Sequence, residues 1–128
     1  MATVKLSVED REFEVQLYDC ESAVALCECL PLKISMSRWG DEYYGSLGEG
    51  LDVKDAADAR DVMEVGELAY WLPGSALCIF FGRTPASQGD EPRAASNVNP
   101  VGIIEGDASA LKELGPSVSV GLAELESS

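Results

Sequence analysis

Histidine is absent from this chain, and basic residues are scarce: nine Lys and Arg stand against twenty-three Asp and Glu. The first absence leaves any zinc site dependent on the cysteines alone. The second gives a net charge of −14, a field that repels phosphate backbones and anionic lipid surfaces, so no nucleic acid and no membrane is expected as a partner. Long apolar runs are missing too. The longest reach five or six residues, against roughly 20 for a bilayer span. Charges at Lys5, Glu9, Asp10 and Arg11 leave no space for the apolar region of a signal peptide, and a cytoplasmic protein is the expectation. The sequence holds no internal repeat and no low-complexity tract. Glycines 48 and 50 do not follow a strand and open a helix, so they make no phosphate-cradling loop. The acids are scattered rather than blocked, which fits a solubility role better than a specific basic partner.

What is present suits one domain, residues 1–128. Hydrophobic residues make up 46% of the chain, and a domain this size buries about two thirds of its unfolded surface. Four cysteines occur, at 20, 27, 29 and 78. Cys27 and Cys29 are two residues apart in a helical segment and point to different faces, which suits neither a disulfide nor a metal clamp. Buried, reduced thiols acting as small hydrophobes are expected, with no metal and no cofactor.

Alternation places strands over residues 3–8 and 13–17, turned at Glu9-Asp10-Arg11. Asp19 is positioned to cap a helix running to Leu30 and stopped by Pro31, with Ala23, Leu26, Cys27 and Leu30 as its apolar stripe. A second hairpin covers 33–39 and 42–47, turned at Gly40-Asp41. Residues 47–61 read as loop, with one helical turn around 55–59. The stretch 66–85 is the most informative: apolar runs 68–72 and 76–81 flank Pro73-Gly74, a pair that sets φ near −65° and then allows φ > 0. A loop of about a dozen residues follows, 84–96, long enough to suggest function. A strand over 98–104, a short helix capped by Asp107 and running to Leu114, and a strand over 117–125 complete the chain, with 124–128 frayed. About eight strands and two short helices without a βαβ rhythm argue for a mainly β, closed antiparallel barrel.

Three blocks carry a resemblance: Trp39-Gly40-Asp41-Glu42-Tyr43-Tyr44, the 66–85 hairpin, and Asn97-Val98-Asn99-Pro100-Val101-Gly102. In order and spacing they resemble the prokaryotic cyclophilin-like proteins, over nearly the whole chain. The resemblance implies an eight-stranded barrel closed by helices, as in the peptidyl-prolyl isomerases, and implies the fold rather than the reaction. In cyclophilins an arginine on a barrel strand donates to the imide nitrogen beside a phenylalanine-lined pocket, with a tryptophan and a histidine further along. Phe80-Phe81 looks like the phenylalanine pair. On that resemblance Phe80 would fill the barrel and Phe81 would face the outer groove, although simple packing suits either one. Arg38 is the sole arginine in the strand where a catalytic one would stand; a solvated strand arginine is the plainer account. Arg83 and Arg93 are weaker candidates. The departures are the missing histidine and the lack of tryptophan in residues 84–96.

The expected ligand groove comprises Trp71, Phe81, Arg38 and Tyr44, with Tyr70 assigned to the core. A binding module that takes a peptide or small-molecule ligand without chemistry explains an apolar groove with an incomplete catalytic set. A divergent peptidyl-prolyl isomerase using Arg38 and Phe81 is the alternative. An enzyme of another kind ranks last, because the carboxylates are dispersed and no nucleophile–base pair or metal spacing occurs. Oligomeric state stays open.

Overall fold

The computed structural model describes residues 3–125. Its strands are β1 (Thr3–Val8), β2 (Arg11–Leu17), β3 (Leu32–Arg38), β4 (Glu42–Ser46), β5 (Arg60–Val62), β6 (Glu67–Trp71), β7 (Ala76–Phe80), β8 (Arg93–Glu105) and β9 (Ser117–Glu124). One α-helix, α1 (Glu21–Glu28), and a 3-10 helix over Ala108–Glu113 accompany them. Every pairing is antiparallel, in the order β2-β1-β9-β3-β4-β7-β6-β8, and β8 pairs back onto β2. Eight strands therefore form a ring within one sheet. β5 lies outside it and, among the described residues, pairs only to β8.

Alternation produces the ring's interior. Leu6 stands opposite Leu122 and Val8 opposite Val120; Leu122, Val120 and Val118 in turn face Leu32, Ile34 and Met36. These side chains share one face at period two and pack into one core with Val15, Tyr43, Leu68, Leu77 and Ile79. Closure needs close backbone approach between β2 and β8. Gly102 provides it: a Cβ there would sit 2.8 Å from the Gln16 carbonyl oxygen.

A second, smaller cluster lies on the outer face of β6 and β7. Ala69, Cys78 and Phe80 are covered there by Met63, Ala94 and Val98, with Trp71 at the margin. The first half of β8 and the segment after β5 thus fold over the ring's outside. This arrangement explains two departures from the sequence reading. The loop expected over 84–96 ends before Arg93, where β8 begins; its alanines, serine and asparagine carry little strand signal. The 47–61 loop contains β5, a three-residue strand too short to show a period. In place of the helical turn around 55–59 there is a single turn, Ala59 N–H to the Ala56 carbonyl at 3.0 Å.

Two further details differ. Helix α1 is capped at Cys20, without a side-chain bond, because Tyr18 N–H is still held by the Val101 carbonyl and Asp19 lies too early to cap. Its stripe is as expected, with Ala23 and Leu26 buried and Cys27 and Leu30 packed against the core. Asp107 does cap its helix, accepting from Ser109 N–H. In the β6–β7 turn the left-handed residue is Ser75, at φ 49°, rather than Gly74. Gly74 is needed for another reason: a Cβ would stand 2.5 Å from Cζ3 of the Trp71 ring. The frayed end expected over 124–128 lies, beyond Leu125, outside the described residues. Among the described residues no helix is long and apolar enough to cross a membrane.

Candidate functional site

The β4–β7 register determines which side chains share the ring's outer face. Glu42 pairs with Phe80 and Tyr44 with Cys78, whereas Tyr43 pairs with Ile79 on the inner face. Beside them, Ala69 pairs with Cys78 and Trp71 with Ala76. The outer set opens into a cavity of about 320 Å³ lined by Trp39, Glu42, Tyr44, Trp71, Cys78, Ala94, Ala95 and Val98. Trp39 and Trp71 are half-buried and Tyr44 is 42% exposed, so three aromatic rings make the walls. Glu42 and Cys78, 5% and 3% exposed, make the floor. The Trp71 indole is fixed on one side by Gly74 and by its Nε1–H, which donates to Ser96 Oγ at 2.7 Å.

The floor is chemically unusual. Burial pushes the Glu42 carboxyl up to about 7, an effect only partly opposed by its hydrogen bond with the Cys78 thiol. Oxygen Oε1 of Glu42 has no hydrogen-bond partner among the described residues. Burial, reinforced by the Glu42 charge, raises the Cys78 thiol well above the ordinary range. A thiol held protonated in this way is a poor nucleophile, so the pair does not read as a catalytic dyad.

Of the residues the sequence put in the groove, Trp71 and Tyr44 line this cavity and Phe81 and Arg38 do not. The parity read for β7 holds, with Cys78 and Phe80 on one face and Ile79 and Phe81 on the other, but the faces are reversed. Phe81 is fully buried in the main core, stacked on Tyr43 at 5.2 Å between ring centroids, and Phe80 belongs to the outer cluster. The reason is that both faces of β7 are covered; all five of its residues are buried, and composition then gives no inside–outside cue.

Arg38 closes the end of that core. Its Nε–H donates to the Gly40 carbonyl at 2.8 Å, Nη1 to the carbonyls of Leu114 (2.7 Å) and Lys112 (3.1 Å), and Nη2 to Asp41 Oδ1 (2.8 Å). The guanidinium also lies 5.1 Å from the Phe81 ring centroid. It is neither the solvated arginine nor the free donor that the sequence allowed; it ties the β3–β4 turn to the end of the 3-10 helix. Arg93 is likewise engaged, with Asp61 (2.9 Å) and Glu91 (3.1 Å). Tyr70 is in the core as read, its hydroxyl accepting from Leu51 N–H.

Trp39, Glu42 and Cys78 were not assigned to the site from sequence. Trp39 and Glu42 stand in one of the three family-like blocks, but one acid among twenty-three is not distinctive. Only its placement between Trp39 and Tyr44 could have marked it.

Other polar features are self-contained. Glu67, wholly buried, accepts both Nη atoms of Arg60 (2.9 and 2.7 Å), the Tyr18 hydroxyl (2.8 Å) and Glu64 N–H (2.8 Å). Burial alone would raise its carboxyl; these donors bring it below the ordinary value. A wider groove of about 540 Å³ crosses β1, β9 and β3, with no aromatic side chain in its lining.

The fold and the pocket together define a small ring-sheet protein with an aromatic-walled cavity on its outer face. A family model described as Cyclophilin-like matches residues 2–122, and the chain belongs to that family. Among solved structures it is similar to the solution structure of the hypothetical protein AF2241 from Archaeoglobus fulgidus, at 37% identity and a TM-score of 0.78, covering 97% of this chain and 95% of that one. No curated protein matches the chain.

Proposed function

We propose that this protein is a binding module: a closed cyclophilin-like barrel whose outer pocket takes a peptide segment or small ligand without transforming it, in a cytoplasmic setting. The observation that carries the reading is the cavity walled by Trp39, Tyr44 and Trp71. Its volume falls at the lower end of the roughly 300–1,000 Å³ usual for ligand pockets, so a compact group is the fitting occupant. The isomerase alternative needs a hydrogen-bond donor aimed at a twisted imide nitrogen. Arg38, the candidate for it, is committed to three carbonyls and Asp41, and an apolar pocket alone binds cis, trans and twisted forms nearly equally.

Tryptophan fluorescence during titration with a panel of short peptides, X-Pro sequences included, tests the reading. The expected result is saturable quenching that Trp71→Ala abolishes, with X-Pro isomerisation at the uncatalysed rate. Turnover well above background that disappears with Trp71→Ala would replace the binding reading with the isomerase one.

A further inference from the structure

Among the described residues Glu42 and Glu67 are the two buried acids, and they are treated differently. Glu67 has Arg60 and two further donors. No cation pairs with Glu42 among the described residues: Arg38 goes to Asp41, Arg60 to Glu67, Arg93 to Asp61 and Glu91. A carboxyl group taken out of water without a counter-charge is costly when charged. Here it lines a cavity whose walls are three aromatic rings. Aromatic faces carry negative quadrupole charge and attract cations, most strongly when the site is desolvated. Carboxylate and rings therefore favour the same kind of occupant, and the net charge of −14 attracts cations at longer range.

We propose that the pocket formed by Trp39, Glu42, Tyr44 and Trp71 binds an N-methylated organic ammonium group, with the Glu42 carboxylate as its counter-charge. The inference rests on the binding reading above and names the ligand class for that same pocket. The methylated form follows from the lining. A primary ammonium carries three N–H donors, but the side chains here offer only the Glu42 carboxyl and the Tyr44 hydroxyl as oxygen acceptors; the remainder are rings, alanines, a valine and a thiol. N–H groups without acceptors would be stranded, whereas methyl groups pack on rings and need none. A metal ion is a poorer fit, since a single carboxylate supplies too few ligands and no three acidic or thiol groups converge among the described residues.

The test uses choline and its neutral isostere 3,3-dimethylbutan-1-ol, in which carbon replaces the charged nitrogen, titrated at pH 8 by calorimetry and tryptophan fluorescence. Choline is expected to bind at least tenfold more tightly than the isostere. Glu42→Gln, which keeps the shape, should remove that preference, and Tyr44→Ala, at an exposed position, should weaken choline severalfold. A short peptide bearing trimethyllysine, run in parallel, separates a protein-borne from a free ammonium; tighter binding of either one than of its uncharged counterpart supports the proposal. Equal affinity of both choline and the trimethyllysine peptide with their uncharged counterparts, or an undiminished preference in Glu42→Gln, would overturn it. If neither choline nor the trimethyllysine peptide is preferred while the peptide panel still quenches tryptophan fluorescence, the ammonium assignment falls and the binding module stands; if nothing binds, both fall.

Discussion

Arg38 and Glu42 stand four positions apart on the two sides of one hairpin, and each is defined by what surrounds its charge. Arg38 satisfies carbonyls that the 3-10 helix leaves open at its end. Arg38→Ala should destabilise the protein by about 2–3 kcal/mol, the scale for losing hydrogen bonds to a charged group, measured by urea denaturation. Arg38→Lys should recover only part, because an ammonium lacks the planar fork. Ligand binding to the folded variant should be unchanged, since Arg38 lies outside the cavity. Glu42 behaves in the opposite way. Its carboxyl titrates near 7 in the fold against an ordinary 4.5, so the native state holds that proton more tightly than the unfolded chain. Its contribution to stability is fully present below about pH 4.5 and is lost as pH rises through 7, a fall of about 3 kcal/mol. Denaturation midpoints should therefore show Glu42→Gln gaining on the wild type by up to about that amount between pH 4 and pH 8. An unchanged difference across that range would refute the burial argument.

The elements differ in how readily they could be read from the sequence. β1 and β9 bury one face, so Val4, Leu6 and Val8 and then Val118, Val120 and Leu122 announce it. β7 buries both, and Ala76, Leu77, Cys78, Ile79 and Phe80 carry no label for inside; the assignments of Phe80 and Phe81 were exchanged for that reason. β5 and the start of β8 were missed because their residues are short or polar and their strand character comes from pairing with each other. The third family-like block turns out to organise a loop. Asn99, buried within β8, accepts from Ala56 N–H at 2.8 Å and donates to the Lys54 carbonyl (2.8 Å) and Ser22 Oγ (3.0 Å). Asn99→Ala should cost about 1–3 kcal/mol through the orphaned partners, and amide exchange at Ala56 should accelerate more than exchange in β1 or β9. Uniform acceleration would mean that the tether is not local.

At the scale of the whole molecule, the ring's eight strands, the pairing of hairpin neighbours and a closed antiparallel arrangement were legible, whereas β5 and the identity of the strands that meet to close the ring were not. The pairings of β1 with β9, β3 with β9 and β2 with β8 join segments far apart in sequence, and no local period encodes them. The family-like blocks reinforced the expectation of a closed eight-stranded ring without assigning those pairings. The candidate site divided in the same way: Trp71 and Tyr44 were legible as outward aromatics, while Glu42 became visible only once β8 had closed over the outer face. The ring also carries a consequence for connectivity. β1 and β9 lie side by side, with Val4 opposite Glu124, so the polypeptide's order around the circle is not what holds the circle together. A circularly permuted chain, joined by a short linker from residue 125 to residue 3 and opened between the exposed Gly48 and Glu49, keeps every pairing of the ring. It should unfold cooperatively in thermal denaturation, with a midpoint within several degrees of the parent. A cut at Ala95, inside β8, should not tolerate the same surgery, because that strand both closes the ring and roofs the pocket.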